Sequence, residues 1–175
     1  MITMIALVLA AQPVPQDTEQ MMVRASTEEF AVLEFEASCM GGLYNRAAVV
    51  RAATESPRRY GAPAMSEDAL VTSWNSSWGS LHYVQAPAGT SKATFPQCNM
   101  TAFTRKPVSR KALDKALSAM LDRKVRSKIT ETQRGTHIAW SWTDSEGRPV
   151  TLLSVLDRKT PQQITLSLQS VEGPQ

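Results

Sequence analysis

Apolar positions recur along this chain with two distinct periods, and the switches between them outline its elements. Between Arg110 and Lys124, Leu113, Ala116, Leu117, Met120 and Leu121 fall on one stripe at helical spacing. Pro107 and Ser109 stand at its entrance, and Ser109 is a suitable N-cap. Further on the period falls to two. Ile138, Trp140 and Trp142 alternate within Gly135–Thr143, Asp144–Gly147 has the composition of a hairpin turn, and Pro149–Leu156 reads as the returning strand. Thr160-Pro161 then turns the chain into the alternating Ile164, Leu166 and Leu168.

The first half is less regular. Ser26 and Glu29 have the spacing of a capping box, and Phe30, Leu33 and Ala37 follow at helical intervals, leaving Glu28, Glu34 and Glu36 for water. Gly41-Gly42 should end this helix, and a second helix is expected over Asn45–Thr54. Glu67-Asp68 after Ser66 has the signature of a helical turn, and Trp74–Gly79 reads as a loop or a short turn. Leu81–Val84 has strand character, Pro87–Thr90 supplies a turn, and Pro96 sets the start of the next strand near Gln97. The expected order is α-α-β-β-α-β-β-β. This is an α+β fold, with an antiparallel sheet of about five strands and helices on one face.

At 175 residues the chain suits one domain, expected over residues 26–171, without internal repeats. Ile5–Ala11 is a short apolar run, and Val8 and Ala10 stand at the −3 and −1 positions of a cleavage after Ala10. Residues 1–11 thus have the outline of a secretory signal, although no Lys or Arg precedes the run. The run is about half the roughly 20 residues that a membrane helix needs. These features point to a periplasmic or secreted protein.

Cys39 and Cys98 are the only cysteines. Their even count, wide spacing and lack of a CxxC favour a structural disulfide in an exported chain over two separate buried thiols. No cofactor signature and no set of residues at metal-ligand spacing is legible, so cofactors and metals are both expected to be none.

Charge is distributed unevenly. Arg105–Arg134 holds ten basic residues against Asp114, Asp122 and Glu131, whereas Asp17–Glu55 holds seven acids against three bases. Arg110, Lys111, Lys115, Arg123, Lys124, Arg126 and Lys128 make a candidate basic stripe for an envelope protein partner or an anionic surface. The competing account is a solvated helix face turned toward the acidic first helix. Aromatic residues are not interleaved with these charges, which argues against nucleic acid as the partner. Trp74 and Trp78 flank Asn75-Ser76-Ser77 and are candidate contact aromatics. His82 and His137, the only histidines, are candidate catalytic residues for a small hydrolase or ligand-processing enzyme if the sheet brings them together. No GxSxG or other nucleophile signature supports that chemistry, so a non-enzymatic binding or accessory protein is the favoured class.

An Ala-rich start, a Phe30…Cys39 helix followed by a short helix, and a second Cys in a strand before an amphipathic helix resemble small uncharacterised periplasmic proteins of alphaproteobacteria. The resemblance covers residues 26 to about 125. It implies an envelope location and carries over no catalytic residues.

Overall fold

The structure is a computed structural model and describes residues 27–55, 60–65, 71–85 and 96–170. The expected signal segment 1–11, the Ser26 half of the capping box, the Glu67-Asp68 turn and the Pro87–Thr90 turn lie outside the described residues.

Helix α1 spans Glu28–Phe35 and continues as a π-helical segment, Glu36–Met40. Its N-cap is Thr27, whose hydroxyl accepts from the Phe30 amide at 3.2 Å, with Glu28 and Glu29 in the first turn where the helix dipole favours anions. The expected apolar stripe is out of phase. Leu33 is 51% exposed, while Phe30, Ala31, Val32, Glu34 and Phe35 are buried. The helix packs on both the sheet and a neighbouring helix, so its buried face is wider than one stripe.

Helix α2 spans Arg46–Glu55, and Asn45 Oδ1 accepts from the Ala48 amide at 3.2 Å. Gly42 lets the two helices come close, because a Cβ there would lie 2.5 Å from Val49 Cγ2. Helix α3 spans Arg110–Lys124 as expected, capped by Ser109 Oγ, and buries Leu113, Leu117, Met120 and Leu121.

The strand count exceeds the expected five. One antiparallel sheet holds β1 (Ala64–Met65), β2 (Val71–Ser76), β3 (Gly79–Val84), β4 (Gln97–Phe103), β5 (Thr130–Arg134), β6 (His137–Thr143), β7 (Pro149–Leu156) and β8 (Gln163–Ser170). The element order is therefore α-α-β-β-β-β-α-β-β-β-β, with the first helix ending in its π segment. Trp74–Gly79 is the tip of the β2–β3 hairpin, where Ser77 and Trp78 form the turn. β5 went unread because all five of its side chains are polar and exposed, as an edge strand permits.

Strand order is β1-β2-β3-β4-β8-β7-β6-β5. Each half is a helical segment followed by a four-stranded meander, and the halves meet where β4 pairs with β8, centred on Met100 opposite Leu166. The topology is thus a palindrome, a regularity that the sequence itself does not show.

Alternate side chains of the strands, among them Trp74, Leu81, Tyr83, Met100, Leu152, Leu166 and Leu168, point into a core roofed by the helices. The Cys39–Cys98 disulfide, fully buried at both ends, ties the π-helical segment to β4 near the centre of the sheet. Among the described residues no helix is long and apolar enough to cross a membrane.

Candidate functional site

The chain segments leaving α1 and α3 and the β6–β7 hairpin converge on a cleft of about 720 Å³ on the helix side of the sheet. That volume lies within the range of small-molecule sites, about 300–1,000 Å³. Val150, Leu168 and Leu43, each at most 5% exposed, supply its apolar base. Met40 and Val125 extend this surface, and Trp142 adds an aromatic wall.

One wall is held rigidly. The Tyr44 hydroxyl donates to Ser170 Oγ at 2.8 Å, and the Arg148 guanidinium carbon lies 3.4 Å from the centre of the Tyr44 ring. Arg148 is fixed in turn by Asp144 (Nε to Oδ2, 2.9 Å) and Glu146 (2.7 Å). Asp144 Oδ1 also accepts the amides of Glu146 and Arg148, both at 2.9 Å. Desolvation pushes the Asp144 carboxyl up, but the hydrogen bonds and charge of Arg148 outweigh it and hold that carboxyl below the ordinary range. Gly147, at φ 81°, completes this turn.

The other wall is formed by Lys124–Ser127, where α3 ends. Ser127 Oγ donates to the Thr143 carbonyl at 2.6 Å and joins the two walls. Lys124 pairs with Glu36 at 3.3 Å, beside an Arg123–Glu36 contact of 2.7 Å. Arg126, exposed at the cleft, makes no ion pair among the described residues. Its guanidinium is therefore open to an incoming anion.

The basic positions do not form one continuous stripe. Arg110 is tied to the Thr136 carbonyl at 2.6 Å and faces Asp114 at 3.6 Å. Burial pushes the Asp114 carboxyl above its ordinary range against the pull of Arg110. Lys111 and Lys115 are exposed on the first turns of α3, while Arg123, Lys124, Arg126 and Lys128 cluster at its far end. The contacts to Glu36 show that part of this cluster does face the acidic first helix.

Trp74 and Trp78 are core residues, 1% and 6% exposed. Trp78 packs edge-on against Phe30 and Tyr60, at centroid distances of 5.2 and 5.3 Å. Burial, aided by the charge of Glu34, drives the Tyr60 phenol well above its ordinary pKa, so it stays neutral.

The two histidines do not meet. Both lie on the sheet face opposite the helices, but β4, β8 and β7 stand between β3 and β6, a separation of roughly 19 Å at normal strand spacing. His82 lies between two hydroxyls, Ser73 Oγ at 2.8 Å from Nδ1 and Ser80 Oγ at 3.0 Å from Nε2. Among the described residues, no three His, Cys, Asp or Glu side chains are grouped to hold a metal ion.

No family model, curated protein or solved structure matches this chain. Sequence reasoning singled out Lys124 and Arg126 but missed Tyr44, Trp142 and Arg148. The one local signal for the rigid wall was the Asp144–Gly147 turn, whose aspartate fixes Arg148.

Proposed function

We propose that this is an exported, non-enzymatic binding protein of the cell envelope that takes an amphipathic organic anion into the cleft. The observation that carries this reading is that Arg126, exposed and without an ion pair among the described residues, lines the same cleft as the buried apolar Val150, Leu168 and Leu43. An alkyl or aromatic portion would lie over that base, and an acidic head would meet Arg126, with Lys124 nearby. The buried disulfide and the outline of a leader support an extracytoplasmic address. The resemblance to small alphaproteobacterial periplasmic proteins agrees with it.

Titration with sodium decanoate, followed by tryptophan fluorescence and calorimetry, tests the proposal. Arg126→Glu should weaken binding at least tenfold. Gly41→Trp should abolish it without disturbing the fold, because a Cβ at Gly41 meets open space and the backbone there is ordinary (φ −95°). Decanoate binding that survives both changes would refute the cleft as the site, and so would its failure to bind.

A second reading rests on the 2.8 Å contact between Ser73 and His82, the shorter of the two hydroxyl–imidazole contacts that His82 makes. It predicts ester hydrolysis that is lost in both Ser73→Ala and His82→Gln. No carboxylate is seen orienting this imidazole, since its other nitrogen faces Ser80. The binding reading is accordingly preferred.

A further inference from the structure

The sheet face opposite the helices carries no charged side chain from β1 across to β6. One residue in five of the chain is charged, yet the outward-pointing positions of β1, β2, β3, β4, β8, β7 and β6 include no Lys, Arg, Asp or Glu. Arg134, on the edge strand β5, is the first such charge among the described residues. One row across the face reads Ser73, His82, Asn99, Ser167, Leu153 and Ala139, each paired with the next. The described helices all pack on the other side, as the Cys39–Cys98 bridge and the contacts of Tyr44 to Ser170, Arg46 to Thr72 and Arg110 to Thr136 show.

Charged side chains on a bare sheet face oppose stacking with another sheet. Their absence here favours a partner surface that is equally neutral and rich in hydroxyl and amide groups. We infer that this face associates with the same face of a second copy of the chain, forming a two-fold symmetric dimer.

Charge and size both favour that occupant. Two neutral faces meet no like charges, and small side chains such as Ser167, Thr165 and Ala139 allow the sheets to approach to about 10 Å. Donor and acceptor pairs such as Ser167 and Asn99, 2.5 Å apart, can exchange partners across the dyad. The six inner strands, about 4.8 Å apart and about 20 Å long, give roughly 600 Å² of face, twisted in the usual sense, so that two copies would stack with their strands about 30° apart. Side-chain relief raises this toward the ~800 Å² per partner of a standard interface. The apolar anchors on this face are Phe103, 53% exposed, with Leu153, Val155, Val71 and Val84, and with hydroxyl and amide groups making up much of the rest the affinity falls at the micromolar end for this area.

Sedimentation equilibrium of the full chain, from low to high micromolar, tests the inference independently of the cleft. The wild type should approach twice the mass of the chain. The double variant Thr165→Lys/Ser167→Lys should weaken association at least tenfold while keeping the far-UV circular dichroism of the wild type. Thr101→Lys on β4 provides a second test if the double variant fails to fold. Lys111→Glu/Lys115→Glu, on the helix layer, should leave the dimer intact. A wild type that stays monomeric throughout would overturn the inference. So would a dimer indifferent to lysines on the sheet face, or one lost equally on changing the helix layer.

Discussion

The guanidinium of Arg148 stacks 3.4 Å above the ring of Tyr44, joining a hairpin of the second half of the sheet to the loop that leaves the first helix. Neither residue stands out in the sequence. Together they form the rigid wall of the cleft, because each is also held by its own neighbours, Tyr44 by Ser170 and Arg148 by Asp144.

This contact should register as a coupling. In a double-mutant cycle of Tyr44→Leu and Arg148→Ala, read by urea unfolding, the interaction is expected to be about 0.5–1 kcal/mol. Additive losses would mean that the two side chains are held independently.

The Asp144 turn predicts a pH dependence of definite sign. Its carboxyl is held below the ordinary range in the folded protein, so its contribution is fully present above the unfolded value of about 3.9. That contribution is lost as the pH falls through the folded value. The Tm difference between wild type and Asp144→Asn should therefore be constant from neutral pH to about 5 and shrink below about 4. A difference that grows on acidification would contradict this assignment.

The disulfide spans 59 residues of sequence. On the chain-entropy model, its removal costs about 4 kcal/mol of folding stability. A Cys39→Ala/Cys98→Ala chain should unfold at correspondingly lower urea, and in the native chain dithiothreitol should reduce the buried bridge, making both cysteines open to alkylation, only once the chain unfolds.

Where a side-chain period had one clear cause, the sequence was legible. Helix α3 rests on the core along a single stripe, and its limits were read correctly from Leu113, Leu117, Met120 and Leu121. β8 alternates cleanly because one face is buried and the other is not. Leu33 misled because α1 is buried against two layers, which erases a simple stripe. Trp74–Gly79 read as a loop or a short turn because Ser77 and Trp78 do form the hairpin turn, while Asn75 and Ser76, residues that favour turns, hide the end of β2. Gly79 is fixed by a close approach that no local pattern reveals, since a Cβ there would run into the carbonyl oxygen of Thr101.

The cleft was legible only at one wall. Basic residues at the end of α3 were visible as a charge run, but the partners that bind Arg123 and Lys124 and leave Arg126 open are set by long-range packing. Glu36 comes from 87 residues earlier, and no sequence period connects them.

The most direct test of the account is to map decanoate onto the protein by following its backbone amide and indole resonances during a titration. Binding in the cleft predicts shifts confined to residues 40–45, 124–127, 142–150 and those around Leu168, including the Trp142 indole, and their loss in Gly41→Trp. Shifts centred on His82 and the opposite sheet face, or none at saturating decanoate, would contradict it.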